Sequence, residues 1–124
     1  MNPKVTMVAR YLLAIMMLVF GINKFVGFLE MPPIPGDGGQ LMTIYFTSGF
    51  MKVIGILEVL GGLALLVGKY IPLATTILVA IMFNATLFHV LHDMGGVAPA
   101  LVGLVLGLIL VAGNKERFSS LLSA

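Results

Sequence analysis

Phe50-Met51-Lys52-Val53-Ile54-Gly55-Ile56-Leu57-Glu58-Val59-Leu60-Gly61-Gly62-Leu63-Ala64-Leu65-Leu66-Val67 is the stretch that decides how this chain folds. Its only charged residues are Lys52, near the start, and Glu58, eight residues after Phe50 and nine before Val67. A run this long and apolar reads as a short membrane-spanning helix, since a bilayer core takes about 20 apolar residues. Gly68-Lys69-Tyr70 makes a tight turn after it, and Pro72 suits the first turn of the next helix, where its missing N–H costs nothing.

Working outward, three further runs have the same character. The first goes from Val5 to about Phe28 and is interrupted by Arg10 and by Asn23-Lys24; the third goes from Ile71 to Leu91; the fourth goes from Val97 to Ala112 and precedes the polar tail Asn114-Lys115-Glu116-Arg117. His92-Asp93-Met94-Gly95-Gly96 turns the chain between the last two. The start could suggest a secretory signal, but its apolar run is too long for one and lacks a small-residue cleavage site, so it reads as a retained first span. The composition agrees: 60% of the 124 residues are apolar and 10% charged, with a mean hydropathy of +1.13. Soluble domains carry about a quarter of their residues as charged groups. Four spans use roughly 80 residues and leave room for loops; five do not fit. The expectation is an all-α integral membrane four-helix bundle in a single domain over 1–124. A large extramembrane catalytic domain, a nucleotide-binding α/β fold and a water-filled barrel are excluded. The absence of Cys excludes thiolate chemistry and Cys-held iron–sulfur or zinc centres. Seven basic and five acidic residues, net +2, are too sparse for a nucleic-acid-binding face.

Between the first two spans, Glu30-Met31-Pro32-Pro33-Ile34-Pro35-Gly36-Asp37-Gly38-Gly39 reads as a loop, because its prolines and glycines break helices. In Gln40 to Ser48, by contrast, Gln40, Thr43 and Thr47 recur at helical spacing among apolar residues, which predicts an interfacial or re-entrant helix, or else a structured loop on the bundle mouth. Lys4, Arg10, Lys69, Lys115 and Arg117 fall on the side that holds both ends of the chain. Only Lys24 and Lys52 fall on the other, with Glu30, Asp37 and Asp93. Cytoplasmic loops carry the excess of Lys and Arg, so both termini are expected in the cytoplasm. Gly95, Pro99, Gly103 and Gly107 recur every four residues and predict close approach of a neighbouring helix, from this chain or from a second subunit.

Glu58 is the most informative residue. A charge at mid-span costs about 2.5–3.5 kcal/mol even on insertion scales, so it calls for protonation or for a partner that holds the charge. Lys24 lies four residues inside the outer end of the first span, Asn84 seven inside that of the third, and His89 two inside it. Lys24, Glu58, Asn84 and His89 are therefore the candidate ligand-binding residues of an outward-opening polar pocket. Each also has a structural reading: Glu58 as a helix-fixing carboxyl, Lys24 as a snorkelling cation, Asn84 as a bridge between helices. Arg10, at inner depth, reads as an interfacial anchor or a positive-inside determinant. His89, His92 and Asp93 share a helix face, but a zinc site needs three or four ligands with support behind them, so no metal is expected. The two His lie too near each other to grip a haem from opposite faces. Met and Phe read as packing or lipid-facing residues.

Arg10, then Phe20-Gly21-Ile22-Asn23-Lys24-Phe25, then Gly55 to Gly68 with Glu58-Val59-Leu60-Gly61-Gly62, then Ile71-Pro72-Leu73-Ala74, form a pattern that resembles the DoxX-like family of small four-helix bacterial membrane proteins. The resemblance covers nearly the whole chain. Asn84 to Asp93, with Pro32-Pro33 and Gly49, is similar to a bacterial branch that has a longer first loop. The resemblance implies that Lys24 and Glu58 are the family's membrane-embedded polar pair and that Asn84 and His89 belong to the branch. It also implies an association with quinone-linked oxidoreductases or with membrane assembly factors. The leading expectation is a small inner-membrane subunit of a quinone-linked oxidoreductase system that binds a quinone or lipid headgroup. It would have no cofactor of its own beyond a bound quinone, and a membrane or periplasmic oxidoreductase or a second copy as partner. A non-enzymatic interaction or assembly protein is the alternative, and a proton-coupled carrier ranks lower because the chain has few spans and no internal repeat.

Overall fold

The computed structural model describes residues 1–29 and 32–123. Six α-helices and one 3₁₀ turn account for nearly all of them, with no strand among the described residues. The helices are α1 (Pro3–Val26), α2 (Gly36–Thr47), α3 (Phe50–Val67), α4 (Ile71–His92), α5 (Val97–Gly113) and α6 (Lys115–Leu122), with the 3₁₀ turn Met94–Gly96 before α5. Helices α1, α3, α4 and, with its preceding turn, α5 are long and apolar enough to cross a membrane. Their bounds fall within two residues of those read from the apolar runs.

The four spans form an up-and-down ring in which α1 packs on α3, α3 on α4, α4 on α5 and α5 back on α1; the α1–α3 seam is the most extensive. Leu13, Ala14, Met17, Leu65, Leu78 and Leu110 are completely buried at its centre. Local signals set the ends. The Asn2 side chain accepts from the Lys4 backbone N–H at 2.8 Å, Pro3 opens α1, and Gly27 closes it in the left-handed conformation (φ 69°) with its N–H on the Asn23 carbonyl. Tyr70 enters α4 at φ 55°, a strained conformation for a bulky residue.

Two expectations about the connections are corrected. The loop before α2 is shorter than its glycines suggested, because the helix begins at Gly36 rather than near Gln40. Pro35, extended at φ −77°, ψ 162°, precedes it, and Asp37 stands in the first turn, where a negative charge favours the helix dipole. Gly38 is the only buried residue of α2 and rests against the His92 side chain. The helix therefore lies across the mouth, against α3 and α4, and is not threaded into the bundle. The tail is also not a plain polar end: it forms α6, tethered by Phe118 at 3% exposure. Glu30, assigned above to the first loop, lies outside the described residues.

The small-residue stripe of α5 turns out to face its own bundle. A Cβ on Gly103 would strike the Met82 side chain and one on Gly107 the Val79 side chain, so both glycines bring α5 against α4. Gly95, with open space around it, and Pro99, which is exposed, are not part of this contact.

Candidate functional site

The α1–α3 seam is built on a reciprocal exchange. A Cβ on Gly21 would meet the Glu58 Cβ at 3.1 Å and the Gly55 carbonyl oxygen at 2.9 Å; a Cβ on Gly55 would meet the Lys24 Cβ at 3.2 Å and the Gly21 carbonyl oxygen at 3.1 Å. In this antiparallel pair each helix offers a glycine to the stem of the other's charged residue. Glycine three residues before Lys24 and glycine three residues before Glu58 put the two charges on the same closely approached seam.

Across it, Lys24 Nζ lies 2.5 Å from Glu58 Oε1. Glu58 is 2% exposed and Lys24 14%. The ammonium also reaches the Phe20 carbonyl at 3.5 Å, and beyond the ion pair no hydrogen-bond donor among the described residues reaches Oε1. Each remaining element of the two motifs has a separate task. Asn23 accepts the Leu29 N–H on its side-chain oxygen at 2.7 Å and so holds the chain as it leaves α1. Gly61 lets α4 approach, with Leu78 carbons at 3.0 Å from its added Cβ, while Gly62 faces the Ala14 carbonyl at 3.0 Å and Leu18 on α1. The two adjacent glycines therefore serve two different neighbours of α3.

The other two candidates are elsewhere. Gly61 opposite Leu78 sets the register of α3 against α4, so Glu58 stands level with Ile81, and His89 is eight residues farther out, about 12 Å. Its Nδ1 lies 3.2 Å from Asp93 Oδ2, and its ring packs edge-on against buried Phe88, so it braces the turn before α5. Asn84 stands near the depth of Lys24, but its side chain is exposed on the outward face of α4 and makes no hydrogen bond to Glu58 among the described residues. Depth was legible in the sequence; facing was not. The structure thus brings Lys24 and Glu58 together and sets Asn84 and His89 apart from them. Among the described residues no group of three His, Asp or Glu is gathered in a way that could hold a metal ion.

Two features go beyond the sequence reading, which has Arg10 as an interfacial anchor or positive-inside determinant and leaves Thr75 aside. Arg10 reaches the far end of α3, where its guanidinium fills the space beside Gly68 (φ 78°) and lies 4.7 Å from the Tyr11 ring centroid; a cation there favours the negative end of the α3 dipole. Thr75 is completely buried, and its hydroxyl has no hydrogen-bond partner among the described residues, whereas neighbouring Thr76 returns its own to the Pro72 carbonyl at 2.8 Å. Nothing in a Thr-Thr pair distinguishes the two beforehand. The described grooves lie at the other end of the bundle from Glu58, one beside Lys115 and Ser119 and one beside Lys4 and Val8.

A ring of four apolar spans closed around one intramembrane ion pair defines a multi-pass membrane protein of minimal size. The family model described as the DoxX-like family matches residues 8–113, and the chain belongs to that family. The matched segment contains both Lys24 and Glu58. No curated protein and no solved structure matches the chain.

Proposed function

We propose that this DoxX-like protein is a small subunit of a quinone-linked oxidoreductase system in the bacterial inner membrane, where it receives the headgroup of a quinone or lipid at the outer end of the Lys24–Glu58 pair. The observation that supports this reading is the asymmetry of the pair: Glu58 is sealed in the bundle, whereas Lys24 keeps 14% exposure. An ammonium has three donors. One is directed at Glu58 and one toward the Phe20 carbonyl, which leaves one for an incoming carbonyl or phosphate oxygen. Glu58 fixes the lysine and is the nearest proton acceptor, the pairing of donor and acceptor that a quinone headgroup requires. Electrons would come from a partner protein, since the chain brings no cysteine for a thiol or an iron–sulfur centre.

The second reading, a non-enzymatic interaction or assembly protein, is favoured by the close packing around Glu58, in which the pair acts as a clasp between α1 and α3. Native mass spectrometry of gently extracted protein separates the two. The first reading expects a quinone or lipid retained by the wild type beyond exchangeable adducts and lost in Lys24→Met and weakened in Glu58→Gln. Identical bound species in all three proteins, with function intact, would overturn it in favour of the second.

A further inference from the structure

One exposed polar side chain within the spans has no partner among the described residues. Asn84 projects from the outward face of α4, less than one turn from the helix midpoint, about 4 Å along the axis. Two of the three threonines of the same helix satisfy themselves, Thr76 on the Pro72 carbonyl and Thr86 on the Met82 carbonyl at 2.7 Å, while Thr75, with no partner among the described residues, is buried inside the bundle and does not face outward. The Asn84 amide makes no hydrogen bond with a described residue, and in hydrocarbon such a group lacks water to replace one. Among the described residues no other exposed amide or charged side chain lies so deep in a span: exposed Lys4 and Lys52 stand in the first turns of α1 and α3.

The surface around it is shaped for another helix. Thr76, Ala80 and Asn84 are all exposed and recur every fourth residue, which makes a shallow, small-residue track along the outside of α4. Leu73 (62% exposed), Phe83 (59%) and Leu87 (45%) flank it as ridges. Small residues in such a track let backbones approach, and an amide at its end hydrogen-bonds across the contact. The α5 glycines, by comparison, are already used against α4 from the inside.

We infer that this track is a homodimer interface, in which α4 of one copy packs in parallel on α4 of a second and the two Asn84 amides hydrogen-bond to each other. The partner is set by the chemistry of the amide and by symmetry. A primary amide both donates and accepts, so it is complementary to itself. Two copies inserted the same way are related by a two-fold axis along the membrane normal, and a residue on that axis meets its own counterpart at the same depth. A different protein would need an independent polar group at mid-membrane on a track of matching shape; a second copy brings both. This interface is independent of the headgroup reading above, since it uses neither Lys24 nor Glu58.

The absence of cysteine makes the test direct, because each introduced thiol is unique. Single-cysteine variants Thr76→Cys and Ala80→Cys, with Ile15→Cys on α1 and Val102→Cys on α5 as exposed controls, are oxidised in native membranes. The two α4 positions should give disulfide-linked dimer several-fold above the controls. In mild detergent, sedimentation should show Asn84→Leu associating roughly tenfold more weakly than the wild type while Asn84→Gln keeps most of the affinity, the size expected for a reciprocal pair of interhelical hydrogen bonds. Leucine suits lipid better than asparagine, so poor insertion does not explain a loss, and an unchanged thermal midpoint of the monomer checks this. Equal cross-linking at all four positions, equal association of wild type and Asn84→Leu, or capture of a different protein in place of a second copy would overturn the interface.

Discussion

Glu58 owes its tolerance in mid-membrane to one contact. Two ions removed from water need excellent geometry to recover their desolvation, so such a pair adds little net stability, but removing one partner leaves an uncompensated charge. Lys24→Met is therefore expected to cost about 3–5 kcal/mol, while Lys24→Met combined with Glu58→Gln should cost much less than the sum of the singles. Thermal unfolding of the four proteins in one detergent measures the coupling, and additive losses would show that the side chains act separately. The existence of the pair was legible beforehand, because depth along a helix follows from counting residues at about 1.5 Å each. The facing of Asn84 was not. In a soluble helix the polar stripe reveals the outer face, but a helix apolar all round carries no such stripe, so its buried side is set by shape. Conversely, Thr75 sits completely buried beside exposed Thr76, a division that only the packing of α4 against its neighbours determines.

At the scale of elements, the stability of the bundle rests on how closely α1 approaches α3. Lipid is as apolar as leucine, so helices associate through packing and not through exclusion of water. Gly21, Gly55 and Gly62 permit backbone-to-side-chain contact along the seam, and a methyl on Gly21 would meet Val59 Cγ2 at 2.8 Å and the Gly55 carbonyl at 2.9 Å. A backbone oxygen cannot rotate away, so Gly21→Ala must separate the helices and is expected to cost about 1–3 kcal/mol. It should also weaken the ion pair. Gly95→Ala is the matched control: nothing lies within 4 Å of its added methyl, and its stability should stay within about 0.5 kcal/mol of the wild type. Melting curves in detergent compare the two, and equal losses would refute the close-approach argument. The same physics explains which elements were readable. The spans announce themselves by length. The start of α2 at Gly36 was hidden because glycines argue against a helix locally, yet Gly38 is needed there to pass beside His92. The α6 segment is too short to stand alone in water, and it forms where Phe118 docks.

At the scale of the whole molecule, an even number of spans fixes both ends on one side, and the packing places the basic residues there with them. Thr6 of α1 lies beside Gly113 at the end of α5, and Arg10 lies beside Gly68 at the end of α3, so Lys4, Arg10, Lys69, Lys115 and Arg117 gather at one end of the bundle. The other end holds Lys24 and Lys52, and Lys24 is already neutralised by Glu58. The basic residues therefore stand five against two, and translocation disfavours the basic end. The expected orientation has both termini and the Lys69 turn in the cytoplasm and α2 on the opposite surface. A reporter active only in the cytoplasm, fused after Ser123, should give signal, and the same reporter inserted between Pro32 and Gly39 should be silent; a reporter active only outside should give the reverse. Shifting the balance is the stronger check. Lys69→Glu, Lys115→Glu and Arg117→Glu together leave two basic residues at that end, equal to the two at the other, and should produce a mixed population in which both fusions report. Unchanged, one-sided signals in that variant would mean that the orientation is set by something other than basic charge, and identical signals from the two wild-type fusions would refute the four-span topology itself.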